Sequence, residues 1–437
     1  MNALQAESKM NSICLCITTY NRPQVIGDFF EKCASYYLEA GVDIYIYDSS
    51  NNNDTKQVLD EWEDDNKGRV YYIRMPSALH ANMKAYKIWQ FYGLKREYDF
   101  VWMSGDTLQF SEQGIRIIME NLHADYDLIE LDIYDKGDIG YKVYTQENEF
   151  FAENAWKTTY FGTVILNSHT VLANVDWNHY ETKYKKKKFI NYSHISFYFN
   201  RMLDLNDFRC LHLPLRDYFT TSLYKKEAGW RKETFPVLCK GGVSTIKALP
   251  SCYTDKKKAI LDLGVNSVFY NANVFWQLKN EGIYNFRNFV KYFFTWRKVC
   301  NFGYGELFIT ALPYELEKKL VYWAFVGKLK KLGRNSKPLY LYGAGAVGEI
   351  YGKYLSQNGI DYAGYIVTKG SANKAFLNDH PVVEFDKLES SKDMGIIVTV
   401  SDKLSEEIIT NLKEYGYGNR IFYSSTLNTW IKRMAQE

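Results

Sequence analysis

The chain has 437 residues, 46% hydrophobic and 24% charged, a balance that excludes a mainly disordered chain and a length that exceeds one ordinary core. Its formal net charge of +3 provides no global attraction to nucleic acid, which is not expected as a partner. Aromatics are the outlying feature: 37 Tyr, 26 Phe and 10 Trp bring flat apolar faces with polar tips, suited to sugars, bases and interfaces or equally to a Tyr-biased core.

The first dozen residues are polar, without the apolar core of a secretory leader. "SICLCITT" (12–19) then reads as a buried strand, with Cys14 and Cys16 on one face as small apolar groups. Seven cysteines without metal-type pairing fit a reducing, cytoplasmic setting. "PQVIGDFFEKCASYYLEAG" (23–41) has helical apolar spacing, with Pro23 in its first turn and Gly41 past its end. "VDIYIYD" (42–48) is a second strand, and Asn53 or Asp54 can cap the helix that follows it. "RVYYIRM" (69–75), "ALHANMKAYKIWQFYGL" (78–94) and "YDFVWMS" (98–104) read as strand, helix and strand. This alternation predicts an α/β fold, a mainly parallel sheet flanked by helices, with ligands at the carboxyl ends of its strands.

From about 125 to 235 the pattern is mixed, with strands at "DLIELDIY" and "FGTVILN" and a helix at "HISFYFNRMLDL". A helical middle segment follows, carried by "NVFWQLKNEGIYNFRNFVKYFFTWRKVC" and "ELEKKLVYWAFVGKLKKLGR". Its interleaved aromatic and basic residues suit either an anionic membrane surface, reached peripherally, or a subdomain with aromatics turned inward. Apolar runs such as "VYWAFVG" are too short to span a bilayer. "GRNSKP" (333–338) reads as a linker before a second alternating α/β unit. The expected division is 10–235, 236–334 and 335–437.

Three loops after the first strands carry the chemistry: "TTYNRP", "DSSNNNDT" and "SGDT". In this order and spacing the chain resembles the family 2 glycosyltransferases over about residues 10–235, which implies a GT-A fold. By that resemblance Thr18, Tyr20, Asn21, Arg22, Asp48 and Ser50 hold the nucleotide of a nucleotide-sugar donor, expected to be a UDP-sugar. Asp48 would accept from a base N–H or a ribose hydroxyl, or else form an Asx turn. Lys84 in "HANMKAYK" would neutralise diphosphate, or else be a solvated helix lysine. Asp106 stands where the family places its short acidic motif, which holds a divalent cation against the donor's phosphates. Here Ser104 replaces the first acid. One carboxylate holds Mn2+ or Mg2+ only when phosphate oxygens and water complete the shell, so Asp106 is the expected metal ligand.

The resemblance further implies an inverting transfer to a glycan hydroxyl, lipid-linked or on a glycoprotein, at the cytoplasmic side of the membrane. The family's acidic base falls in "NYSHISFYFNR", before Arg201, where His194 occupies an acidic position. His194 is either a base near neutral pH or a capping or packing residue; Asp217 in "LPLRDYF" is the alternative base. "KYKKKK" (183–188) reads as a solvated loop, or as a contact to an anionic acceptor.

In the last unit Gly343, Gly345 and Gly348 have G-x-G-x-x-G spacing between a strand and a helix. The stretch where an acid would bind a cofactor ribose is "YIVTKG", without an acid, which argues against NAD. This unit resembles the Rossmann-like modules appended to bacterial glycosyltransferases, implying a second nucleotide site or a scaffold. The expected activity is transfer of one sugar in bacterial surface polysaccharide or glycoprotein glycan synthesis. A non-catalytic scaffold, and an oxidoreductase centred on the second glycine site, are the competing readings.

Overall fold

A computed structural model describes residues 11–134, 139–184, 191–222, 224, 231–269, 272–333, 338–371, 374–388, 393–424, 428 and 430–431. The chain forms two compact units, one of residues 1–270 with 294–301, the other of 271–293 with 302–437. The helical stretch expected to stand apart over 236–334 is therefore divided between them.

The first unit is built on an eight-stranded sheet. Its strands are β1 (Ile13–Thr19), β2 (Asp43–Asp48), β3 (Val70–Arg74), β4 (Phe100–Gly105), β6 (Leu128–Asp132), β7 (Lys142–Tyr144), β8 (Val164–Asn167) and β9 (Cys210–Pro214), in the order β3-β2-β1-β4-β8-β6-β9-β7. Short strands β5 (Leu108–Phe110) and β10 (Phe219–Thr221) pair antiparallel beside it. The β3-β2-β1-β4 half is parallel throughout, while β8 runs antiparallel to both neighbours. Strand β6 therefore points the same way as β4, and the two end on the same edge of the sheet. Every residue of β1 and β2 is buried, as a strand covered by helices on both faces requires.

On one face α1 (Pro23–Lys32), α2 (Ala34–Glu39) and α5 (Glu112–Glu120) enclose the inward positions of the strands: Leu15, Ile17, Ile46 and Trp102 pack with Phe29, Tyr37 and Ile115. The expected single helix over 23–41 is broken at Cys33, whose φ of −132° leaves the helical range. On the other face α4 (Ala81–Trp89) meets α6 (Ser193–Arg201), where Trp89 stacks on Phe197 at 4.6 Å. Helix α3 (Asp54–Asp65) follows Asn53, but no side-chain hydrogen bond caps it; the Asn53 Oδ1 accepts instead from Arg74. Six of the seven thiols are buried, Cys14 and Cys16 among them, and Cys252 is exposed.

The second unit has a six-stranded sheet, β13-β14-β12-β11-β15-β16, of β11 (Leu339–Tyr342), β12 (Gly364–Val367), β13 (Phe376–Leu377), β14 (His380–Glu384), β15 (Gly395–Val398) and β16 (Ile421–Phe422). All pairs but β13 with β14 are parallel. Apolar layers cover both faces, one around Leu341, Tyr351, Tyr365 and Ile397, the other around Tyr342, Ile366, Ile396 and Leu412. Before this sheet the helical stretch 273–300 is interrupted. Gly282 adopts φ +72° and Asn285 accepts from the Asn288 N–H at 3.0 Å, so one helix ends and another is capped. Phe275, Tyr284 and Phe289 turn inward, while Phe286, Val290 and Phe293 are exposed. Among the described residues no helix is long and apolar enough to cross a membrane. Lys185–Lys188 of the basic run lie outside the described residues.

Candidate functional site

Sheet register assembles the site. Thr19 lies opposite Asp48, and Asp48 opposite Arg74, in one row at the carboxyl edge; Thr18 lies opposite Gly105 of β4. Asp106 follows Gly105 directly, so the acid stands at the edge where two neighbouring parallel strands finish. Its Oδ1 accepts from Arg22 Nη1 at 2.7 Å and its Oδ2 from Thr19 Oγ1 at 2.9 Å. The carboxylate is only 6% exposed. Burial raises its pKa, and the nearby Arg22 charge and Thr19 hydroxyl offset part of that effect.

Arg22 precedes Pro23 at the start of α1 and is part exposed. Its Nε and Nη2 are buried without a hydrogen-bond partner. An unmet guanidinium donor is a costly thing to bury, and two on one fork match the geometry of a phosphate or carboxylate oxygen pair. Two other arginines of this unit are spent. Arg74 donates to Asp48, to the Ser50 and Asn52 carbonyls and to Asn53. Arg201 donates to the carbonyls of Val171, Thr170 and Ala173 and to Asp204.

Lys84 reaches the same edge from α4. Its Nζ donates to the Thr19 carbonyl at 2.5 Å and to Ser49 Oγ at 2.9 Å. It is buried, not a solvated helix lysine, and burial pulls its ammonium down to about 8. The first two loops are tied together by Ser50, whose hydroxyl accepts from the Asn21 N–H at 2.7 Å and donates to Asp48. Asn21 holds φ +52° there, and its Oδ1 accepts from the Asn51 N–H at 3.1 Å. Tyr20 is exposed at the rim, and Thr18 Oγ1 donates to the Ser104 carbonyl at 3.4 Å. The Ser104 hydroxyl donates to the Gly105 carbonyl at 3.0 Å.

For two residues the structure matches the second of the two readings given above. Asp48 is fully buried, and its two oxygens accept from the Ser50 N–H and hydroxyl, Tyr72 OH and Arg74. These four donors make Asp48 an organiser of the loop, and the bond from the Ser50 N–H at 2.8 Å closes the Asx turn. His194 is 1% exposed, with Nδ1 at 3.2 Å from Asn82 Oδ1 and Nε2 at 3.1 Å from the Thr159 carbonyl. Burial lowers its pKa to about 3. Enclosed between Asn82 of α4 and the Thr159 carbonyl, the neutral imidazole has one N–H to donate, and its place matches the packing reading of this residue. Asp217, by contrast, is exposed, in the turn between β9 and β10.

Sequence reasoning missed Thr19, Ser49 and Arg74, which hold Asp106, Lys84 and Asp48. It also missed a buried cluster on β6 and β9, where His212 Nδ1 pairs with Glu130 and Lys157 Nζ meets Asp132 Oδ2 at 2.6 Å. The alternation of "LIELD" was its one visible signal, since it sets Glu130 and Asp132 on the same face.

Whether a cation fits can be judged from the donor set. Among the described residues no three His, Cys, Asp or Glu side chains gather as metal ligands, and Asp106 is the lone acid beside Thr19 and Arg22. Such a site fits a hard cation that arrives with phosphate oxygens and keeps water, not one held by protein alone. In the second unit Gly343 has φ +119° and a Cβ there would lie 2.9 Å from the Thr399 carbonyl oxygen; a Cβ on Gly348 would lie 1.8 Å from that of Gly343. Close packing therefore accounts for these two glycines, while Gly345 faces open space.

No family model and no curated protein matches the sequence. Among solved structures the chain is similar to TarS (residues 1–349) of S. aureus, at 11% identity and TM-score 0.39, over 74% of this chain and 85% of that one. It is similar to a mannosyltransferase of Pyrobaculum calidifontis, solved with GDP-Man and Mn2+, at 10% identity and TM-score 0.40, over 74% and 81%. A third is glucosyl-3-phosphoglycerate synthase of Mycobacterium tuberculosis, solved with Mn2+, UDP and phosphoglyceric acid, at 10% identity and TM-score 0.34, over 55% and 80%.

Proposed function

We propose that the first unit is a glycosyltransferase that moves one sugar from a nucleotide-sugar donor, a UDP-sugar by preference, to a hydroxyl of a glycan acceptor, with inversion. One observation carries this reading: Arg22 presents two unpartnered N–H groups beside the lone acid Asp106, at the carboxyl edge of a parallel sheet. That edge is where α/β sheets bind ligands. Arg22 would bind a donor phosphate through its fork, and Lys84 would add positive charge from beneath. Asp106 would hold Mn2+ or Mg2+ together with phosphate oxygens, and that ion would neutralise charge on the departing nucleoside diphosphate.

Asp217 is the proposed base. Its carboxylate is 77% exposed and stands two residues before β10, which pairs with the strand following Asp106. There it is open to an acceptor hydroxyl. The acceptor is proposed to be a lipid-linked or glycoprotein glycan of bacterial surface synthesis, met at the cytoplasmic face of the membrane by a peripheral contact. A tight turn at Gly343, open space at Gly345 and close packing at Gly348 suit a second nucleotide site or a scaffold in the second unit alike, and NAD is not proposed.

Transfer and donor-hydrolysis assays over UDP- and GDP-sugars, with and without Mn2+, test the reading. Asp106→Asn is expected to lower turnover by about 10²-fold or more. Asp217→Asn is expected to lower kcat about 10²-fold with little change in donor KM. A silent panel, or an Asp106→Asn variant with full activity, would sink it.

A further inference from the structure

We infer that Arg22 and the divalent cation are rivals for Asp106: the guanidinium holds the carboxylate until a cation arrives with a nucleoside diphosphate, and then passes to a phosphate oxygen. The inference rests on the transferase reading above and adds an order of events to it.

The geometry supplies the rivalry. Arg22 Nη1 stands 2.7 Å from Asp106 Oδ1, and Thr19 Oγ1 stands 2.9 Å from Oδ2. A divalent ion bound to this carboxylate at about 2.1 Å would lie against the guanidinium. Like charges that close repel strongly in a poorly hydrated site, so each weakens the hold of the other on one buried carboxylate. The same arginine has somewhere to go. Its Nε and Nη2 lack hydrogen-bond partners, and it is 20% exposed, so the fork can turn toward ligand phosphate without breaking another protein hydrogen bond. Arg74, with its donors on Asp48 and the second loop, has no such freedom.

Two consequences follow from linkage. Bare cation must displace Arg22 with no compensating partner, so it binds weakly. Diphosphate brings oxygen ligands for the ion and a new acceptor for Arg22 together, so each ligand tightens the other by one common factor.

Mn2+ binding to the full-length protein, followed by electron paramagnetic resonance with and without UDP or GDP, reads this directly. In the wild type the nucleotide should tighten Mn2+ by about tenfold or more. Arg22→Gln should bind bare Mn2+ about tenfold more tightly than wild type, and the nucleotide's effect on Mn2+ should shrink. Arg22→Lys keeps the charge without the fork, so its bare Mn2+ affinity should stay near wild type while nucleotide binding weakens. The rivalry is overturned if Arg22→Gln gains no affinity for bare Mn2+, or if wild type binds Mn2+ equally well with and without a bound nucleotide. The latter needs no variant to fold. If wild type binds neither UDP nor GDP in the presence of Mn2+, the transferase reading and the rivalry fall together.

Discussion

Lys84 sits where a charge is hard to hold. Burial pulls its pKa from an ordinary 10.5 down to about 8, so at pH 7 the folded protein carries an ammonium that the unfolded chain would carry more easily. The difference amounts to about 3 kcal/mol of lost stability. The loss is complete below pH 8 and is relieved as pH climbs from 8 toward 10.5, because the folded state sheds its proton first. Lys84→Met should therefore raise the thermal midpoint at pH 7, yet weaken UDP–Mn2+ binding by about tenfold or more. Calorimetric melts paired with nucleotide titrations check both halves; a less stable variant with unchanged UDP binding would contradict them. That Arg22 and Asp106 lie at one strand edge was legible because each follows a strand that the apolar pattern marks; what they and Lys84 would bind came only from the resemblance. Thr19 and Ser49 were not legible, since their partners depend on which residues face each other across neighbouring strands. For Asp48 and His194 the sequence left two readings open for a related reason: it does not show how many donors will crowd a carboxylate, or how deep an imidazole will lie.

At the scale of elements, β4 and the acid beyond it lean on the turn before β8. Gly162 there has φ +109°, and a Cβ would meet Ser104 Oγ at 2.5 Å and Leu108 Cδ2 at 2.6 Å. Its carbonyl also accepts from Trp102 Nε1 at 2.8 Å. Gly162→Ala should cost about 1–3 kcal/mol, and it should loosen the strand end that carries Asp106, weakening Mn2+–nucleotide binding along with stability. A variant that melts at the wild-type temperature would show that the turn is not so constrained. The first four strands could be read from sequence because strands covered on both faces are continuous apolar runs. The helices of 273–300 could not be bounded that way. Aromatic and apolar residues continue through the breaks after Asn280 and at Tyr292, and only local backbone geometry divides the stretch into helices Ala272–Asn280, Phe286–Lys291 and Phe293–Val299.

Among the described residues each unit has its own sheet and its own apolar layers. Damage to one should then be felt mainly within it. Gly348→Ala places a methyl 1.8 Å from the Gly343 carbonyl oxygen and should lower protection of β11 and β15 in hydrogen exchange, while the first unit keeps its UDP–Mn2+ affinity. Loss of nucleotide binding in that variant would show that the glycine turn serves the transfer site after all. In the first unit Cys252 alone of the seven thiols is exposed, and burial pushes the Cys33 thiol up to about 11. A maleimide fluorophore should therefore attach once per folded molecule, on the same unit as Asp106, with further stoichiometry appearing only as that core opens. The native protein already has a built-in handle for single-molecule work.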